Sequence, residues 1–121
     1  MRHIRPILAA FLSVLLLPLP AVAAAKLRWL PCEDDATAQC TTLPVPVDGD
    51  RAGSKIGIAV ARRPAARPDL RIGVLIVNPG GPGGSGVDMA LNAASFFSSQ
   101  IRARFDIVGF DPRGIGRSAP V

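Results

Sequence analysis

The sequence predicts an α/β fold in which an antiparallel hairpin is followed by a parallel β-loop-α-β unit. Two segments, 43–47 and 55–61, alternate between apolar and other residues and are separated by a turn-rich stretch, which predicts two paired strands. Two later segments, 72–77 and 105–110, are mainly apolar, which is typical of buried parallel strands. A glycine-rich loop and a helical pattern lie between them, and this order favours a crossover connection.

Residues 1–25 have the pattern of a secretory signal peptide. Arg2 and Arg5 precede an apolar run over 7–19, and small residues follow it up to Ala25. A membrane-spanning helix needs about 20 apolar residues, and this run is shorter and is broken by proline. We expect the segment to be removed on export, which leaves a secreted or extracytoplasmic protein without a stable membrane anchor. The chain then divides into a signal peptide (1–25), an N-terminal arm with a disulfide and the first strand (26–54), and the start of a truncated α/β domain (55–121).

The composition excludes several kinds of chemistry. The chain has 14 Lys and Arg against 9 Asp and Glu, and its basic residues are scattered and not interleaved with aromatic ones, so we expect no nucleic-acid partner. The single histidine, His3, lies in the signal segment, so the mature chain would have no imidazole to act as a general base. Two cysteines without further ligands do not form a zinc site. We therefore expect no metal and no cofactor.

Cys32 and Cys40 lie in the N-terminal arm with seven residues between them. Because export brings cysteines into an oxidising compartment, a disulfide between them is the expected state. In the loop-entropy model, so small a ring stabilises the fold by roughly 2–3 kcal/mol. The alternative is a pair of redox-active thiols, which the spacing disfavours because it is not Cys-x-x-Cys.

Segment 72–77 is apolar on both faces and predicts a buried central strand. Ser85 or Gly86 can cap a helix over 87–100. Its apolar residues share one face at 3.6-residue spacing: Val87, Ala90, Leu91, Ala94 and Phe97. Strands that are apolar on both faces need helices on both faces, and the pattern supplies one helix. We therefore expect an incomplete α/β domain; the alternative is a small complete α+β domain, or one that completes its core by dimerising.

Segment 78–86 (NPGGPGGSG) contains five glycines and two prolines and allows three interpretations. It fits the dinucleotide-binding pattern Gly-x-Gly-x-x-Gly, with Asp111 at the end of the next strand. Against that interpretation, two strands precede the unit and the prolines remove N–H donors. The second interpretation is an oxyanion loop, in which glycine lets the main chain approach a substrate carbonyl oxygen closely. The third is a tight turn without a ligand, which needs fewer glycines.

Two motifs carry a resemblance to a known family. Segment 78–86, followed by 105–118 (FDIVGFDPRGIGRS), resembles the secreted tripeptidyl aminopeptidase family of α/β-hydrolases, relatives of the prolyl aminopeptidases. The start of the arm, WLPC followed by Cys40 and LPVPVD, resembles the mature start of that family. The resemblance covers almost all of 27–121 and implies the N-terminal part of an α/β-hydrolase sheet. It also implies a serine peptidase that releases short peptides from the free N-termini of peptide substrates.

Carried over residue by residue, the resemblance assigns the oxyanion-loop N–H to Gly81, with Gly80 as the second candidate. Asp111 and Arg113 match the family's Asp-x-Arg-Gly turn. For this turn we expect a structural role, with an ion pair and loop hydrogen bonds behind the catalytic serine. The alternative is that Arg113 clamps a substrate carboxylate.

The family's nucleophile, acid and base have no counterpart in this sequence. The segment 116–120 comes near the Gly-x-Ser-x-Gly nucleophile elbow, but Pro120 replaces the second glycine. Ser85 and Ser118 have no histidine in the mature chain to activate them. We therefore expect the chain alone to be an inactive fragment of a peptidase. The alternatives are a non-catalytic secreted binding domain and, less favoured, a dinucleotide-binding module.

Overall fold

A computed structural model of the chain describes residues 26–49 and 53–119. The predicted signal peptide, 1–25, lies outside these residues. Among the described residues, no helix has the length and apolar character needed to cross a membrane. The elements, in chain order, are β1 (Leu30–Pro31), β2 (Gln39–Pro46), β3 (Lys55–Arg63), a 3-10 turn (Pro68–Leu70), β4 (Gly73–Val77), α1 (Gly86–Leu91), α2 (Ala93–Phe96), α3 (Ser99–Arg104) and β5 (Phe105–Phe110).

The five strands form one mixed sheet in the order β1-β2-β3-β5-β4. Strands β2 and β3 form the predicted antiparallel hairpin, with Thr41 opposite Val60. Strand β5 pairs antiparallel with β3 and parallel with β4. The predicted hairpin and the predicted parallel pair are therefore both confirmed, and together with the helices they make an α/β arrangement.

In the sheet that the described residues form, the strand predicted at 72–77 does not have the central position that we expected. Among the described strands, β4 lies at one end of the sheet order and pairs with β5 alone. Its residues alternate in burial, with Val77 buried while Val74 and Ile76 remain 51% and 68% exposed. The reason is that the helices of the described residues cover one face of the sheet, and Val74 and Ile76 point to the other. Apolar character on both faces did not distinguish a central strand from this one.

The predicted single helix over 87–100 is also wrong, because the structure breaks it into three short helices. Asn92 ends α1 with non-helical dihedral angles, and Phe97 is extended. Ser98 then starts α3, since its Oγ accepts a hydrogen bond from the Ile101 N–H at 3.4 Å. The break shifts the buried positions by one residue, so Ala93 is buried and Ala94 is exposed.

The core lies between the sheet and these helices. Among the described residues, its main cluster consists of eight buried residues: Cys32, Ala38, Ala61, Val77, Val87, Ala90, Ala93 and Ile107. Helix α1 packs closely on β5 because both elements carry a glycine at the contact. A Cβ atom on Gly109 would lie 1.8 Å from the carbonyl oxygen of Gly86. This contact fixes the start of α1 against the sheet, at the point where the glycine-rich loop ends.

Replacing Gly109 by alanine should destabilise the protein by about 3 kcal/mol, at the upper end of the range for overpacking, because the obstructing atom belongs to the backbone and cannot rotate away. Urea unfolding measures the change. Gly73→Ala, in the neighbouring strand, is the matched control, since a Cβ there meets nothing within 4 Å. Equal stability of the two variants would contradict the close packing of α1 on β5.

The N-terminal arm is fastened to the core by the predicted disulfide and by one carboxylate. The bond between Cys32 and Cys40 is present, as expected. Asp35 Oδ1 accepts a hydrogen bond from the Thr37 N–H at 2.9 Å, and Arg63 forms an ion pair with Oδ2. The same guanidinium donates to the carbonyl oxygen of Leu91 at 2.6 Å. Arg63 therefore joins the arm to the C-terminal end of α1.

Acid should weaken this attachment in a defined range of pH. Hydrogen bonds from Thr37, and then from Arg63, lower the pKa of Asp35 from 3.8 to about 2. A carboxylate with a lowered pKa stabilises the folded state fully above its unfolded pKa, and the stabilisation is lost as the pH falls through its folded pKa. Asp35→Asn should therefore be less stable than the parent above pH 4, and this difference should shrink between pH 4 and pH 2. Urea titrations at several pH values measure it; a constant difference would contradict the assignment.

Candidate active site

The glycine-rich loop joins β4 to α1 and has a backbone that favours glycine. Gly80, Gly81 and Gly83 have φ angles of 73°, 145° and 92°, in the left-handed region. The Gly84 N–H closes the turn by donating to the carbonyl oxygen of Gly80 at 3.2 Å. A Cβ on Gly81 would lie 2.8 Å from the Gly83 nitrogen. A side chain at Gly81 is thus excluded by both φ and space.

The two predicted oxyanion donors differ in their hydrogen bonding. The Gly80 N–H donates to Asn78 Oδ1 at 2.9 Å, so it is already engaged. Within the described residues, no acceptor contacts the Gly81 N–H. A donor that is free before substrate arrives can bind a developing oxyanion without first breaking a bond. The geometry therefore favours Gly81 over Gly80.

Asp111 is the buried anchor behind this loop. Its side chain is 0% exposed. One carboxylate oxygen, Oδ1, accepts from the Ser85 hydroxyl at 2.6 Å and from the Val87 N–H at 3.1 Å, and Oδ2 accepts from the Arg117 N–H at 2.8 Å. These bonds join the end of the glycine loop, the first turn of α1 and the turn after β5. Since the carboxylate is fully enclosed, it is not available to a ribose hydroxyl, which the dinucleotide interpretation requires.

The two serines near the loop are both engaged in structural hydrogen bonds. Of the two predicted candidates, Ser85 and Gly86, it is Ser85 that caps α1, and its Oγ accepts from the Asp88 N–H at 3.0 Å. Ser118 is fully buried; its hydroxyl donates to the Asp111 carbonyl oxygen at 2.7 Å and accepts from the Ala59 N–H at 2.8 Å. A nucleophile needs an exposed oxygen beside a base. The near-match to the nucleophile elbow at 116–120 is therefore a structural turn as far as the described residues show it.

Arg113 does not form the ion pair that was expected with Asp111. Its Nη1 donates to the Val47 carbonyl oxygen at 2.8 Å. The partners of Asp111 are instead two backbone N–H groups and a hydroxyl, because the carboxylate points into the fold and Arg113 lies exposed at the surface. This bond ties the turn after β5 to the end of β2.

Arg117 is an ion-pair centre that the sequence analysis missed. Its guanidinium donates to Asp88 at 2.8 Å and to Asp34 at 3.3 Å. The hydrogen bond to Asp88 is the main cause of the raised pKa of Arg117. The three residues lie far apart in the chain, so no local pattern signalled the contact. Within the described residues, no group of three metal-ligating side chains occurs.

Comparison with known proteins relates the chain to bacterial hydrolases. No protein-family model matches it. It is 51% identical over 86 residues to carboxylesterase B of Mycobacterium tuberculosis, and this match covers 69% of this chain and 16% of that protein. It is 42% identical over 101 residues to the serine protease Hip1 of the same organism, covering 77% and 19%. It is 39% identical over 116 residues to the tripeptidyl aminopeptidase of Streptomyces lividans, covering 84% and 21%.

The chain therefore spans between 16% and 21% of the length of these relatives. All three matches extend over more than two thirds of this chain, so the regions matched by these three differently named relatives overlap. The recognised motifs, the mixed α/β sheet and these similarities agree. This chain belongs, as a partial region, to the tripeptidyl aminopeptidase-like family of hydrolases.

Proposed function

We propose that the chain is the N-terminal part of a secreted serine peptidase with an α/β-hydrolase fold, and that its glycine loop supplies an oxyanion donor. The observation that carries this proposal is the free Gly81 N–H at the tip of a loop anchored on a buried carboxylate. Preorganised backbone donors of this kind stabilise the charge that develops in acyl transfer. The nucleophile, acid and base would come from residues outside this chain, and the chain alone would be inactive.

The proposed reaction is the release of short peptides from free N-termini. Relatives named tripeptidyl aminopeptidase and serine protease support a peptide as the acyl donor. The relative at 51% identity is named a carboxylesterase, and an oxyanion donor serves ester and amide cleavage alike. Ester hydrolysis is therefore the second candidate function, and matched peptide and ester substrates separate the two.

The proposal extends to the segments of the chain. Residues 1–25 would direct export, the arm at 26–54 would be held by its disulfide in an oxidising compartment, and 55–121 would begin the hydrolase domain. Exposed apolar residues on the open face of the sheet, among them Ile76, support a continuation of the domain over that face. Sequencing the DNA beyond the codon for Val121 tests this directly. A Gly-x-Ser-x-Gly motif followed by Asp and His would support the proposal. A stop codon after Val121, with no downstream reading frame that encodes these residues, would contradict it.

A chimera tests the catalytic role. The region of the Streptomyces lividans tripeptidyl aminopeptidase that aligns with this chain would be replaced by residues 26–119. We expect the folded chimera to release tripeptides from a chromogenic peptide substrate, and to do so faster than it cleaves the matched ester. A chimera that folds but cleaves neither substrate contradicts the proposal, whereas preference for the ester supports the second candidate.

A further inference from the structure

The two ends of the glycine loop are held in different ways. At the first end, the Gly80 N–H donates to the side chain of Asn78, which lies at the surface. At the second end, the Ser85 hydroxyl donates to the fully buried carboxylate of Asp111 at 2.6 Å. The same oxygen of Ser85 accepts the Asp88 N–H at 3.0 Å. The second end is therefore the rigid one.

The rigid end is directly connected to the turn that carries Gly81. Gly84 precedes Ser85, and its N–H closes the turn on the Gly80 carbonyl oxygen. The Pro79 ring packs against Gly84, so closely that a Cβ on Gly84 would lie 2.7 Å from its Cγ. A displacement of Ser85 would therefore move Gly84 and, with it, the turn.

We propose that Ser85 is a positioning residue for the Gly81 N–H: its hydroxyl, held by Asp111, sets the direction of the oxyanion donor. This inference rests on the proposed oxyanion role of Gly81. Ser85 contacts no reacting atom itself. Its part is to transmit the fixed position of the buried carboxylate to the exposed tip of the loop.

The size of the expected effect follows from how small a displacement of its donors an oxyanion site tolerates. Donors must be held within about 0.5 Å of the productive geometry, and a misplacement of 1 Å can cost about 10²-fold in rate. Alanine at position 85 removes both hydrogen bonds of the hydroxyl and releases the rigid end of the loop. Since the oxyanion develops during the reaction and is absent from the bound substrate, the loss should fall on turnover and not on substrate binding.

The experiment compares two serines that share one role. Ser98 caps α3 as Ser85 caps α1, but its hydroxyl has no buried carboxylate as a partner among the described residues and it lies outside the glycine loop. In the chimera, Ser85→Ala should lower kcat by about 10- to 100-fold with KM changed less than about twofold. Ser98→Ala should retain the parent kcat. Ser85→Thr, which keeps the hydroxyl, should restore kcat to within about threefold of the parent.

Several outcomes would overturn the inference. An active parent chimera with unchanged kcat in Ser85→Ala would do so, as would equal losses in Ser85→Ala and Ser98→Ala. A folded but inactive parent would contradict the proposed function instead, and the 121-residue chain then decides the role of Ser85. In that chain, Ser85→Ala should speed amide hydrogen exchange at Gly84 by at least about tenfold while β2 and β3 keep their protection. Unchanged exchange at Gly84 would show that Ser85 does not hold the loop.

Discussion

Removal of the Gly81 N–H is expected to lower turnover by about 10²–10³-fold, which corresponds to about 2.7–4 kcal/mol of transition-state stabilisation. Gly81→Pro in the chimera makes this change, since proline has no N–H. KM should change much less, because the donor acts on charge that appears in the transition state. Steady-state kinetics with a tripeptide substrate measure both constants.

Proline at this position also changes the backbone, so a second variant is needed. Proline requires φ near −65°, whereas Gly81 has φ 145°. Replacement of Gly81 by glycolic acid through semisynthesis exchanges the N–H for an oxygen and leaves φ free. Turnover within about threefold of the parent in the glycolic acid variant would show that Gly81 is not the donor. Gly80→Pro in parallel tests the second candidate.

Of the substitutions considered, loss of the Asp111 carboxylate should lower the free energy of unfolding most. Asp111→Ala leaves the Ser85 hydroxyl and two N–H groups, those of Val87 and Arg117, without their acceptor. Hydrogen bonds to a charged group contribute about 1.5–3 kcal/mol each, and buried donors without acceptors add a penalty. Because water can enter the emptied site and replace part of these bonds, we expect a loss of about 3–5 kcal/mol in the free energy of unfolding.

The conservative variant separates hydrogen bonding from packing. Asp111→Asn has nearly the same shape but offers one acceptor oxygen and presents an amide N–H₂ to a neighbouring donor. We expect its stability to fall between those of the parent and Asp111→Ala in urea unfolding. A loss below about 1 kcal/mol in Asp111→Ala would contradict the anchoring role described for this carboxylate.

Local sequence patterns predicted which segments form strands and helices better than they predicted where those elements lie in the fold. The alternation at 55–61 and the apolar run at 105–110 identify strands because the spacing of apolar residues shows which faces of a segment are buried. The position of β4 in the sheet depends on which strands pair with it, and its own residues carry no such information. The helix breaks at Asn92 and Phe97 were missed because the apolar spacing continues through both, whereas the backbone leaves the helical conformation at each of them.

The site was predictable to the extent that it is contiguous. Gly80 and Gly81 are adjacent in one motif, and the conformational freedom of glycine indicates why they are there. The bond between Ser85 and Asp111 joins residues 26 positions apart, and the bond from Arg117 to Asp34 spans 83. Such contacts depend on the completed sheet. The expected pairing of Arg113 with Asp111 failed for a different reason, because residues two positions apart in a turn can point in opposite directions: Asp111 is buried and Arg113 is exposed.

The order of strands in the sheet also has a consequence for synthesis on the ribosome. Strands β2 and β3 are neighbours in sequence and can pair as soon as both have emerged. Strand β4 is made before β5, yet its only partner in the described sheet is β5. Residues 73–77 therefore leave the exit tunnel as an apolar segment with no strand to join until residues 105–110 follow. At a synthesis rate of about 5–20 residues per second, this interval lasts on the order of seconds. During it, the exposed apolar segment of β4 is a binding site for a chaperone.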